Sequence, residues 1–213
     1  MAQVDFSLFG KVSGRCGNVI FSNYHGKTIM KAAPLHVNYP YSEKQNIQLE
    51  KFKLTQEYIR KLLPLFKAGW QEMAVGKTAV NAATSYLVKN VFTVEEGKVI
   101  LDKTKVLHAK GTLFSVYDLK AKAVKSQKIL YSWHDNSGNA NAEAGDEFCC
   151  ACSNLDNDKI VYAFSGNKRE DESCLFSLPK DWKGSKVAVF GFFRNENELK
   201  VSDDQYLGTI TLK

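Results

Sequence analysis

The chain has 213 residues, 44% hydrophobic and 24% charged, the balance of a globular protein long enough for one large domain or two small ones. No apolar run nears the roughly 18 residues of a membrane span, and Met1-Ala2-Gln3-Val4-Asp5-Phe6 lacks the charged-then-apolar order of a secretory signal. The expectation is therefore a chain made in the cytoplasm and soluble there. The net charge of +6 hides an asymmetry: residues 1–130 hold 20 basic and 9 acidic side chains, residues 131–213 hold 9 and 14.

Residues 9–31 come first, with Gly10, Gly14, Gly17 and Gly26 among Lys11, Arg15, His25, Lys27 and Lys31. A dinucleotide fingerprint needs G-x-G-x-x-G opening a helix. Here the glycines are spaced four and three apart, and a β-hairpin is predicted to follow: residues 18–24 and 27–31 are rich in β-branched and aromatic residues around His25-Gly26. The anion-receiving helix N-terminus is missing, so the glycines read as positions needing positive φ or close backbone approach. Pro34 and Pro40 close the unit.

Ser42 with Gln45 three residues on forms a capping box that starts a helix. Phe52, Ile59 and Phe66, with Thr55 and Leu62 between them, mark its buried face, and Pro64 kinks or ends it. Gly76-Lys77-Thr78 resembles the end of a P-loop, but position 71 is Gln where a glycine is required. Thr78 reads instead as the N-cap of a second helix over 78–90, packing through Ala79, Ala82, Ala83, Tyr86 and Leu87.

From residue 98 the pattern turns to β, with strands expected at 112–117, 128–133, 147–153, 159–165, 173–178, 186–194 and 206–212. Seven short strands at this spacing fit an immunoglobulin- or fibronectin-like sandwich, with Trp133 in its core. The fold class expected is mainly β with an α-helical insert: a hairpin and helical pair over residues 1–92, then the sandwich over 98–213.

Candidate chemistry is sparse. Five cysteines is an odd number for a chain that needs no disulfide framework. Cys149, Cys150 and Cys152 form one close cluster where structural zinc favours two. On a strand, Phe148, Cys150 and Cys152 face one side and Cys149 and Ala151 the other. His25, His36, His108 and His134 fall in no catalytic signature, and Glu170-Asp171-Glu172 and Asp203-Asp204 lie in expected turns, where capping or solvation is their role. These residues assign no enzyme activity, no cofactor and no metal.

One stretch carries a resemblance. Ser13-Gly14-Arg15-Cys16-Gly17-Asn18-Val19-Ile20 followed by Tyr24-His25-Gly26-Lys27 resembles the opening of a family of uncharacterised Bacteroidetes-type proteins, roughly S-G-K-x-G-N-V-V, then W-K-G, a proline-bounded loop and T-x-x-Q before a helix. Trp133-His134-Asp135-Asn136-Ser137, Asp146, Val201-Ser202 and Tyr206-Leu207-Gly208 match the same pattern, while Arg15, Cys16 and Tyr24-His25 depart from it. That family lends a fold and no activity. The opening is also similar, more weakly, to small proteins of phage and prophage structural gene clusters, which implies an assembly role and incorporation into a virion.

The resulting expectation is a non-enzymatic structural or assembly subunit, a homo-oligomer or part of a larger assembly. It docks on protein partners through its N-terminal hairpin and helices, with Arg15, Tyr24, Lys27 and Lys31, on or beside the hairpin, as the contact residues. A hairpin edge pairs with a foreign strand, and the cations steer an acidic neighbour. The charge asymmetry fits the basic end of one copy meeting the acidic end of the next. The alternative is a binding module capturing a carbohydrate or surface ligand through Trp133, Trp182 and the loop 134–146. Nucleic-acid binding by the basic part ranks third, because its lysines are dispersed rather than clustered.

Overall fold

The computed structural model describes residues 2–4, 12–24, 26–34, 40–197 and 199–212; Gly10, His25 and His36 lie outside the described residues. The chain divides into two compact units, Met1–Ser42 and Glu43–Lys213.

The first unit is a four-stranded antiparallel sheet of β1 (Ala2–Val4), β2 (Gly14–Cys16), β3 (Val19–Tyr24) and β4 (Lys27–Ala32), in the order β1-β4-β3-β2. The expected hairpin is β3–β4, closed by the Tyr24–Lys27 pair. Gly17 opens the two-residue turn between β2 and β3 at φ 57°, and a Cβ there would meet nothing. Its requirement is therefore the left-handed backbone, as a II′ turn demands of its first central residue. A strand follows it, not a helix, and the phosphate-loop reading has no place here.

In the second unit, α1 (Glu43–Lys61), α2 (Leu63–Gly69) and α3 (Ala79–Asn90) come first, and Pro64 sits in the first turn of α2. Thr78 caps α3, its side chain accepting from the Asn81 amide at 3.2 Å. Thr55, Ile59, Leu62 and Phe66 are buried as the helical period requires, but Phe52 is 51% exposed. A seven-residue spacing drifts by about 20° per repeat on a 3.6-residue helix, and one repeat before Ile59 the side chain has turned off the packed face.

A short hairpin follows, β5 (Phe92–Glu95) and β6 (Lys98–Leu101), around Glu96-Gly97 at φ 47° and 78°. Positive φ at both central residues is a primed turn, a signal the sequence reading passed over. Seven strands complete the chain: β7 (Tyr117–Val124), β8 (Lys128–His134), β9 (Glu147–Asn154), β10 (Ile160–Lys168), β11 (Ser173–Ser177), β12 (Lys186–Arg194) and β13 (Gln205–Thr211). They form two sheets, β11-β8-β7 and β10-β9-β12-β13. The first, second and fifth strands thus face the third, fourth, sixth and seventh, an immunoglobulin- or fibronectin-like sandwich.

Six of the seven expected strands are present. The exception, 112–117, makes a single bridge, Leu113 to Ser202. Its backbone is satisfied by side chains instead: the Phe114 amide donates to Asn141 Oδ1, and the Phe114 and Ser115 carbonyls accept from Arg169 and Asn136. The strand actually forms over β7, which buries Leu119 on the sandwich interior and packs Ala121 and Ala123 against it.

The helical pair belongs with the sandwich, not with the hairpin as the 1–92 and 98–213 division had it. Ile59, Leu62, Phe66, Ala83 and Leu87 form one buried cluster with Cys149, Ala151, Ala188, Phe190 and Phe192. On the opposite face, Phe148, Cys150, Cys152, Val187, Val189 and Phe193 pack with Ile129, Tyr131, Trp133 and Trp182. The larger sheet is therefore the middle of three layers. Burial on both faces is the physical reason that EFCCACSN and KVAVFGFFR read as continuous apolar runs rather than alternating ones.

Gly191 lies on the sandwich side of that sheet. A Cβ there would stand 2.9 Å from the ring of Phe148 and 3.2 Å from Leu119. Phe148 in turn stacks on Trp133 at 4.8 Å between centroids. Gly191→Ala is expected to lose about 1–3 kcal/mol through forced repacking, read as a lower urea midpoint at unchanged slope.

Candidate functional site

Direct cross-strand partners share a face of a sheet, and side chains two apart on a strand do the same. In the first unit Arg15 pairs with Ile20 and Ile20 with Lys31, while Ser22 pairs with Ile29 and Tyr24 with Lys27. Arg15, Tyr24, Lys27 and Lys31 therefore stand on one face, around Ile20, Ser22 and Ile29. All four are exposed, Tyr24 to 60%. Residues 12–34 contain no Asp or Glu, so β2, β3 and β4 set three cations on this face with no carboxylate of their own. The opposite face carries Val19, Phe21, Thr28 and Met30, where the Thr28 hydroxyl donates to Asn23 Oδ1 at 2.8 Å. Among the described residues of this unit only Thr28 is buried. β2, which pairs with β3, is an edge strand of three exposed residues, Gly14, Arg15 and Cys16.

The remaining polar chemistry lies inside the second unit, in two buried networks that sequence reasoning missed. Arg169 is fully buried. Its Nε donates to Asp146 Oδ2 at 3.1 Å, Nη1 to Asn136 Oδ1 at 2.6 Å and Nη2 to the Phe114 carbonyl at 2.9 Å. The guanidinium lies over the Phe193 ring at 4.7 Å, and Trp133 Nε1 donates to the Arg169 carbonyl at 2.8 Å. Burial pulls the Arg169 pKa down and the Asp146 charge holds it up. Asn136 and Asp146 thus satisfy a buried cation, and Trp133 fixes the backbone that carries it.

The second network runs Tyr58–His108–Asp204. Tyr58 Oη lies 3.1 Å from His108 Nε2, and His108 Nδ1 lies 2.7 Å from Asp204 Oδ2. A carboxylate only accepts, so Nδ1 carries the proton and Nε2 of the neutral ring accepts from Tyr58. Burial pushes the Asp204 carboxyl above its ordinary range against the pull of His108, and burial together with the Asp204 charge pushes the Tyr58 hydroxyl up. Asp204 is thus no solvated turn residue, unlike its neighbour Asp203, whose Oδ1 accepts from the Gly111 amide at 3.1 Å. The order resembles a nucleophile, a base and its orienting carboxylate, yet His108 is fully enclosed and Tyr58 and Asp204 are buried. This network ties α1 to the segments before β7 and before β13.

The cysteines divide as strand alternation requires, Cys149 toward the helices and Cys150 and Cys152 into the sandwich. Burial pushes the Cys152 thiol up to about 12. Cys16 is the exposed thiol. Among the described residues no three His, Cys, Asp or Glu side chains gather as a metal ion would need, and no helix is long and apolar enough to cross a membrane.

Trp133 and Trp182 are 4% and 0% exposed. Neither offers a ring to a sugar, and the alternative binding-module reading loses the stacking residues it was built on. Glu172 and Asp171, by contrast, do cap backbone: they accept from the Asp135 amide at 3.1 Å and the Lys168 amide at 2.7 Å.

No curated protein matches the chain in sequence. Among solved structures, the crystal structure of the chicken CNTN1 FN1-FN3 domains matches with a TM-score of 0.34 at 11% identity, over 48% of this chain and 32% of that one. A family model, described as a family of unknown function (DUF6266), matches residues 11–208, which take in β2–β4, the helices and nearly all of the sandwich, and the chain belongs to that family.

Proposed function

We propose that this protein is a non-enzymatic structural or assembly subunit that docks on a protein partner through the basic face of its N-terminal sheet. The observation that carries the reading is that Arg15, Tyr24, Lys27 and Lys31 share one exposed face. Cations attract and orient an acidic partner, an exposed tyrosine adds contact area at low entropic cost, and β2, which among the described residues pairs with β3 alone, offers its other edge to a partner strand. The likeness of the opening to phage and prophage structural proteins supports the same reading, with a virion as the assembly. The buried polar networks favour it too, since their polar groups are enclosed and spent on one another.

Arg15→Glu with Lys27→Glu is the direct test. Both positions are exposed, so folding stability should hold within about 0.5 kcal/mol, checked by urea unfolding. Affinity for the partner should fall by about tenfold or more, read as a smaller native mass in light scattering and as loss of co-purifying protein. Unchanged mass and unchanged co-purification would remove the docking role from this face.

A further inference from the structure

We infer that the partner on the basic sheet is a second copy of this chain, bound at the acidic end of its sandwich. This rests on the docking reading above and names its occupant. β2, β3 and β4, which carry Arg15, Lys27 and Lys31, hold no carboxylate within residues 12–34, so this face attracts an acidic partner. Pairing two such faces across a two-fold axis would set cation against cation, which leaves a head-to-tail contact with a different surface.

The sandwich supplies that surface. The segments 134–147 and 168–173 hold seven carboxylates against Lys168 and Arg169; Arg169 pairs with the buried Asp146 and Arg194 with Glu147, which leaves five. The two segments lie side by side: the Asp135 amide donates to Glu172 Oε1 at 3.1 Å and the Glu170 amide to the Ala144 carbonyl at 3.3 Å. Asp135, Glu143, Glu170, Asp171 and Glu172 are all exposed there. Because Arg169 binds this end together from inside, the carboxylates are held in place before a partner arrives, and little ordering cost remains at docking.

Size sets the strength. Four strands about 4.8 Å apart and six residues of about 3.3 Å each make a face of roughly 300 Å², at the small, transient end of protein interfaces. A single contact is therefore weak and salt-sensitive, and assembly grows by repetition. A heterologous contact of this kind closes into a ring or runs on as a filament.

Sedimentation velocity of the purified full chain tests this, over a concentration series in about 0.01 M and about 1 M salt, where the Debye length falls from roughly 30 Å to 3 Å. The wild type should self-associate at low salt and dissociate at high salt. Arg15→Glu/Lys27→Glu and Glu143→Lys/Glu170→Lys should each weaken association by about tenfold or more. An equimolar mixture of the two variants should regain it, because the reversed face of one now fits the reversed end of the other. A wild type that stays monomeric throughout, variants that associate like wild type, or a mixture that stays apart would each overturn the proposal. If the wild type is monomeric alone yet the face variant sheds a different protein, the docking reading stands and only its partner is wrong.

Discussion

Replacing Arg169 with Met is expected to destabilise the protein by about 3–5 kcal/mol, a large share of the roughly 5–15 kcal/mol that holds a domain folded. The substitution removes the cation facing Asp146, whose carboxylate is fully buried, and strips the donors from Asn136 Oδ1 and the Phe114 carbonyl. An unpaired buried charge is the dominant cost. Asp146→Asn in the Arg169→Met background should therefore recover part of the loss. The neutral amide keeps an oxygen for the Glu143 amide, now 2.9 Å from Asp146 Oδ2, without leaving a charge behind. Urea midpoints at constant slope give both numbers. A double variant no more stable than Arg169→Met alone would mean that the guanidinium acts mainly through packing on Phe193.

His108→Phe carries the second largest expectation, a loss of about 3 kcal/mol. The new ring fills similar space against Phe66 and Phe190, whose rings lie 5.7 Å and 4.7 Å from the imidazole. Volume is thus nearly conserved, and what is lost is the partner of Asp204, which keeps the His108 amide as a donor at 2.9 Å. Tyr58→Phe removes only the far end of the chain and should cost about 1 kcal/mol. The order His108→Phe well above Tyr58→Phe in urea unfolding is the check. Equal losses would place the importance of the network in the Tyr58–His108 bond instead of the His108–Asp204 bond.

Local signals were the most legible in the sequence. Thr78 as a cap, the β-branched and aromatic content of β3 and β4, and the turn-bounded apolar runs of β8, β9 and β12 all correspond to the structure. Period-two alternation also implies the shared face of Tyr24, Lys27 and Lys31, though placing Arg15 beside them needs the register of β2 on β3. β7 escaped notice because YDLKAKAV is built from lysines and alanines, which carry little strand preference. Residues 112–117 misled for the opposite reason: they are apolar, but their backbone partners are the side chains of Asn136, Asn141 and Arg169.

What the sequence conceals is long-range pairing. Arg169 meets partners 23, 33 and 55 positions away, and His108 meets Asp204 across 96. No window of local pattern contains both members of such a pair. The unit boundary was hidden similarly, since nothing in α1–α3 alone says which surface they cover. The one usable sign was the unbroken apolarity of β9 and β12, which demands a layer on each side.

That double covering has a consequence for how such a protein travels through evolution. A fibronectin-like bead can be cut out and strung elsewhere because its outward strand faces are at ease in water. Here Cys149, Ala151, Ala188, Phe190 and Phe192 face outward from the sandwich into the helices, and a gene fragment lacking those helices would encode a sticky slab. From Glu43 onward, helices and sandwich therefore have to stay together in any fragment that is to keep those side chains from water.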